Sequence, residues 1–166
     1  MTRILIACVG NIFMGDDGFG TEVARRLATR AMPPEVLVKD FGIRAIDLTY
    51  ALLDRWELVI LVDACARDGA PGTVYLIEPD AVDENAAVPL IESAHTMNPT
   101  SVLRAVHSLG GAQSPVLVVG CVPADLGSEE DGKLGLSEPV QAAVEDAVAL
   151  IEALVAKTLT PEPAFT

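Results

Sequence analysis

Basic charge is scarce in this chain. Eleven lysines and arginines face 24 aspartates and glutamates, a formal net charge of −13, and the resulting field repels phosphate backbones and anionic lipid headgroups. Nucleic acid and membrane surfaces are thereby excluded as expected partners, whereas a metal cation or a basic protein segment stays electrostatically welcome. Cysteine is scarce as well. Cys8, Cys65 and Cys121 are odd in number, two of them lie inside apolar strand-like runs, and they read as reduced cytosolic thiols rather than a disulfide framework. No apolar stretch reaches the about 18 residues that span a bilayer. The run Ile4 to Val9 is too short for a signal-peptide core and leads into a glycine turn, not a small-residue cleavage site. A cytoplasmic location follows as the expectation. Internal repeats, low-complexity tracts and linkers are also missing.

What is present is apolar. A hydrophobic content of 51% over 166 residues can bury one substantial core but is short for two independently folded domains. Ile4 to Val9, Val36 to Val38, Leu58 to Val62, Val74 to Ile77 and Val116 to Val122 are β-branched, apolar runs that predict strands. Their continuous rather than alternating apolarity points to burial on both faces, as in a parallel sheet covered by helices. Helical stripes fill the gaps at Thr21 to Ala31, Ala45 to Arg55, Thr100 to Leu109 and Glu138 to Ala156. The expected fold is a single three-layer α/β domain, a mostly parallel, twisted five-stranded sheet with helices on both faces, spanning residues 1–157. Residues 158–166 are expected to form a disordered tail. Glu78 to Thr96 and Pro123 to Gly135 are long loops, which in compact domains are often functional.

In an open α/β sheet the ligand crevice lies beyond the carboxyl ends of the strands. Just past the first strand runs Gly10-Asn11-Ile12-Phe13-Met14-Gly15-Asp16-Asp17-Gly18-Phe19-Gly20, and Asp63 directly follows the apolar Leu58 to Val62. Both segments are expected to deliver acids to one crevice. A glycine-rich strand-to-helix loop first suggests phosphate, but the spacing is not GxGxxG and no lysine followed by serine or threonine is present. Asp16 and Asp17 would repel a phosphate and favour a cation. His95, in the loop before the third helix, can point into the same crevice. Two carboxylates and an imidazole suit a borderline divalent ion such as nickel or zinc, which could polarise a carbonyl or activate water. Simpler roles exist for each residue: Asp16 and Asp17 as a solvated turn preceding a helix, Asp63 as a loop cap, His95 as a surface histidine. His107 reads as structural or exposed.

The first loop closely resembles the opening signature of the hydrogenase maturation proteases. Further blocks agree in the same order: Asp40-Phe41-Gly42-Ile43-Arg44-Ala45-Ile46-Asp47-Leu48, Val62-Asp63-Ala64 with Pro71-Gly72-Thr73-Val74, Ser93-Ala94-His95 with Val102-Leu103, and Gly135-Leu136-Ser137-Glu138-Pro139-Val140. The resemblance runs from Arg3 to Leu154. It implies an aspartic-type endopeptidase that removes the C-terminal extension from the large-subunit precursor of a nickel-iron hydrogenase once nickel is inserted. Nickel would then arrive with the precursor and be contacted by Asp17, Asp63 and His95. A carboxylate would activate water as general base, with Asp17, Asp63 and Asp40 as candidates, Asp40 because it ends the second strand and should face the crevice. Two departures stand out: several relatives carry glutamate where this chain has Asp17, and glycine is common where it has Phe41. Two other functions compete. One makes Cys65 a nucleophile with His95 as its base; the other is a non-enzymatic nickel carrier or checkpoint that binds the precursor without cutting it.

Overall fold

A computed structural model describes residues 3–79, 99–111, 114–128 and 130–160. Five strands form one sheet: β1 (Ile4–Val9), β2 (Val36–Gly42), β3 (Leu58–Ala64), β4 (Val74–Ile77) and β5 (Val116–Cys121). Among the described residues four α-helices accompany them: α1 (Phe19–Ala28), α2 (Ala45–Leu53), α3 (Pro99–Ser108) and α4 (Glu138–Leu159). The spatial order is β2-β1-β3-β5-β4. Every pairing is parallel except that of β4 with β5. The α/β class, the strand count and the element order are those that the hydrophobic pattern predicts.

Continuous apolarity has the expected cause. β1 and β3 lie in the middle of the sheet with helices on both sides, and every residue from Ile4 to Val9 and from Leu58 to Asp63 is buried. Successive side chains of a strand point to opposite faces, so the strands feed two cores. Ile4, Ile6, Cys8, Ile60 and Val62 pack under α1 and α4, whose Val23, Leu27, Val144, Val148 and Ile151 close that face. Leu5, Ala7, Val9, Val59 and Leu61 pack under Leu48 and Leu52 of α2 and Val102 and Val106 of α3. Phe41 is fully buried in this second core.

Several boundaries shift for identifiable reasons. β2 continues through Asp40 to Gly42 because β1 keeps pairing with it, with one irregularity in register between Cys8 and Val9. β3 runs past Val62 to Ala64, where Asp63 pairs in register with Gly120 of β5. Asp63 and Asp40 therefore sit inside the last turns of their strands, not after them. α4 extends to Leu159, and the Thr158 hydroxyl donates to the Leu154 carbonyl at 2.9 Å. The expected tail thus begins inside a helix, and residues 161–166 lie outside the described residues.

A close helix-to-sheet approach occurs at Gly20, in the first turn of α1. A Cβ there would stand 2.2 Å from the Val9 carbonyl oxygen and 2.8 Å from that of Val62. Because both obstacles are backbone of central strands, Gly20→Ala is expected to lift α1 from the sheet and cost about 3 kcal/mol or more, overpacking at its severe end. Urea unfolding of the two proteins measures it.

Candidate active site

β1, β3 and β5 run parallel, so their carboxyl ends meet at one edge of the sheet. Gly10 starts the first loop at φ +143°, and a Cβ on it would fall 1.9 Å from the Asp17 carbonyl oxygen. Only glycine allows the loop to fold back so tightly. The return is fastened by the Asn11 amide, which donates to Asp17 Oδ2 at 2.9 Å, and by the Asn11 side chain, which accepts from the Phe13 amide at 2.9 Å. A 3-10 turn, Gly15–Gly18, then leads straight into α1.

Asp16, within that turn, is fully buried. Its Oδ2 accepts from the amides of Ala124 and Asp125 at 2.8 and 2.9 Å and from the Ser137 hydroxyl at 2.8 Å. Oδ1 accepts from the Ser137 amide at 2.6 Å. Burial favours the neutral acid, but the hydrogen bonds from Ser137, Asp125 and Ala124 outweigh it and hold the carboxyl below its usual range. The carboxylate also sits against the N-terminus of α4, whose dipole favours an anion. Neither a solvated turn acid nor a crevice ligand, Asp16 clasps three segments together. The sequence pairs it with Asp17 by adjacency; the Ser137-Glu138-Pro139 helix start was the hint of its true partner.

Asp17 and Asp63 are the acids that the crevice does bring together. Burial raises the Asp17 pKa against the pull of the Asn11 amide. Asp63, 5% exposed, is pushed up to about 8 by burial first and by the charge of Asp17 second. Cys65 Sγ lies 3.6 Å from Asp63 Oδ2 as donor. The Cys65 thiol is itself pushed up to about 11 by burial and by Asp63, which disfavours the thiolate a cysteine nucleophile needs. Tyr75 on β4 donates from its hydroxyl to the Cys65 carbonyl at 3.2 Å. Its ring lies beneath the Arg67 guanidinium, 4.4 Å from ring centre to carbon, and fills the space over Gly120, where a Cβ would meet it at 2.3 Å.

Asp40 departs from expectation. By strand alternation it shares the α1 face with Val36 and Val38, and its Oδ1 accepts from Thr21 Oγ1 of α1 at 3.3 Å and from the Gly42 amide at 2.9 Å. Asp63 alternates with Val59 and Leu61 and so belongs to the opposite, α2–α3 face. The two acids therefore do not share one crevice. His95 lies outside the described residues. Among the described residues no group of three histidines, cysteines or acids could by itself hold a metal ion, and no helix is long and apolar enough to cross a membrane. His107 is half-buried on α3.

Comparison with known proteins agrees with this architecture. A structure of the hydrogenase maturating endopeptidase of Escherichia coli superposes with a TM-score of 0.76 at 24% identity over 95% of this chain and 94% of that one, which establishes the shared fold. A hydrogenase 2 maturation peptidase from Thaumarchaeota archaeon SCGC_AB-539-E09 is 34% identical, with a TM-score of 0.66 over 92% of this chain and 98% of that one. A Methanocaldococcus jannaschii protein with the provisional name of hydrogenase maturation protease is 36% identical over 153 residues, 89% of this chain and 93% of that protein. These relatives define a peptidase. The family model for hydrogenase maturation proteases matches residues 21–154, and the chain belongs to that family.

The contrast between the acids is measurable in the metal-free protein. A carboxyl raised from 3.8 unfolded to about 8 folded binds its proton in the folded state throughout that interval. Its contribution to stability is complete below pH 4 and is lost as pH climbs through 8. Asp63→Asn is therefore expected to flatten the decline of melting temperature between pH 5 and pH 8, and to melt several degrees above the parent at pH 8. Asp16→Ala strands four donors and is expected to cost about 3 kcal/mol or more at pH 7; thermal melts across pH read the first variant and denaturant unfolding the second.

Proposed function

We propose that this chain is an aspartic-type endopeptidase that acts in the cytoplasm and removes the C-terminal extension from the large-subunit precursor of a nickel-iron hydrogenase. Nickel already seated in the precursor is read by Asp17, Asp63 and His95. The observation that carries the proposal is the proximity of Asp17, in the 3-10 turn after β1, to Asp63, near the end of β3, each buried enough for its ionisation to be opposed. Such a pair gains by approaching a cation, because a divalent ion offsets both the burial and the mutual repulsion. The sequence gives the pair a third donor of matching chemistry: His95 precedes α3, which packs on the face to which Asp63 belongs. Two carboxylates and an imidazole suit nickel.

The metal is then part of the substrate. Docking it on the acid pair ties recognition to the completed state of the precursor and fixes the scissile bond relative to the loop Gly10–Gly18. Asp63 holds a proton at neutral pH and loses it on meeting the cation. A carboxylate oxygen of the pair that the metal leaves free takes a proton from water as the water attacks the carbonyl carbon; the amide bond breaks and its nitrogen leaves carrying that proton. Three free thiols, two of them buried, fit a reducing compartment.

The test follows precursor mass when the purified protein meets nickel-loaded and nickel-free precursor. Cleavage of the loaded form alone is expected, with Asp17→Asn, Asp63→Asn and His95→Ala each slowed roughly a hundredfold or more. Equal cleavage of both forms removes the nickel reading. Binding without any change in mass turns the chain into a checkpoint rather than a peptidase.

A further inference from the structure

Strand pairing sets Asp63, Gly120 and Tyr75 in one row across the sheet. Asp63 of β3 pairs in register with Gly120 of β5, and Gly120 with Tyr75 of β4. Paired residues point to the same face of a sheet, and Gly120 carries no side chain, so the ring of Tyr75 leans over it toward the end of β3. Its hydroxyl donates to the Cys65 carbonyl at 3.2 Å. The Cys65 amide donates in turn to the Cys121 carbonyl at 3.0 Å, which continues the ladder with β5 one residue past the end of β3. Both polar backbone groups of Cys65 are thereby fixed.

Residues two apart along a strand share a face, and the Cys65 side chain accordingly stands beside that of Asp63, with Sγ 3.6 Å from Oδ2 as donor. A thiol at such a place has two other uses, as nucleophile and as metal ligand. Burial and the charge of Asp63 keep the proton on Cys65, which opposes the first. Among the described residues Asp17, Asp63 and Cys65 do not make a group that could hold a metal, which opposes the second. Donation to Asp63 is the contact that is left. The only other donor that the Asp63 carboxyl has is the Ala64 amide, so the thiol decides how the carboxyl plane is turned. A thiol is a weak donor, able to orient the carboxyl without competing with a cation for its charge.

We infer that Cys65 is a positioning residue for the peptidase reaction, its thiol fixing the orientation in which Asp63 meets the substrate, and that Tyr75 acts through it by holding the Cys65 carbonyl. The inference rests on the function proposed above, which gives Asp63 its part in the reaction. It also separates the cysteines by what they need to be. Cys8 and Cys121 pack in the first core as small apolar residues, whereas Cys65 has to supply a hydrogen.

The experiment follows cleavage of the nickel-loaded precursor by Cys65→Ala, Cys65→Ser, Tyr75→Phe and the double variant Cys65→Ala/Tyr75→Phe. The carboxyl NMR signal of Asp63, assigned by its loss in Asp63→Asn, is recorded for each protein without precursor at one fixed pH, and the same spectra report whether the variant is folded. Cys65→Ala is expected to lower kcat about tenfold, the usual order for loss of a partner that orients a reactive side chain, with a smaller change in KM and a displaced Asp63 signal. Cys65→Ser keeps a donor and is expected to recover most of both. Tyr75→Phe keeps the ring and loses the hydroxyl. It is expected to lower kcat less than Cys65→Ala does and to add nothing in the double variant, because the two act through one contact. An Asp63 signal unmoved in Cys65→Ala, Cys65→Ser no better than Cys65→Ala, or a Tyr75→Phe effect undiminished in the double variant overturns the inference. Failure of the parent to cut the precursor, with the Asp63 signal displaced in Cys65→Ala and restored in Cys65→Ser, instead overturns the trimming reaction and leaves the hold of the thiol on Asp63 standing.

Discussion

Everything at the carboxyl edge of this sheet hangs on the carboxylate of Asp16. A buried anion is tolerated only when its desolvation is offset by donors, and Asp16 has four, supplied by the loop following β5 and by the start of α4. Those donors come from more than a hundred residues away in sequence. The clasp therefore closes the chain on itself: the loop leaving β1, the loop leaving β5 and the last helix share one fixed point. Backbone bonds flank it, with the Gly15 amide on the Lys133 carbonyl at 2.8 Å and the Lys133 amide on the Phe13 carbonyl at 2.7 Å. Asp17, the next residue, inherits its position from that point.

Neighbouring aspartates consequently behave in opposite ways. Asp16 is the more buried and the more acidic, because hydrogen bonds to the charged form outrun desolvation. Asp17 has a single amide donor, and burial prevails. Asp63 is buried beside another acid, with only a thiol and a backbone amide to offset both effects. One side chain chemistry thus yields a structural anion and two acids held against ionisation, and donor supply is what separates them. Membership of the hydrogenase maturation protease family gives that pair its setting, a peptidase whose acids stand where strands end.

The fold was legible because its signal is local and repeated: β-branched runs such as Ile4 to Val9 and Leu58 to Val62 announce buried parallel strands, and the stripe of Val23, Ala24 and Leu27 announces α1. The proximity of Asp17 to Asp63 was legible because both follow apolar strand runs that end at one edge of the sheet. The role of Asp16 was hidden, since its partners Ala124, Asp125 and Ser137 are brought to it only by the assembled sheet. Asp40 misled for a related reason. Its position near a strand end says crevice, while the parity of β2 turns it to the α1 face, and parity depends on where the strand actually stops. Phe41, a departure from the family pattern, makes sense only once the second core beneath α2 is seen.

Tyr75 and Gly120 form a size exchange across β4 and β5. The ring occupies the volume that a Cβ at Gly120 would need, and its hydroxyl braces the Cys65 carbonyl at the end of β3. The two positions are therefore coupled in volume: a side chain at Gly120 displaces the ring, and with it the hydroxyl that braces the chain two residues beyond Asp63.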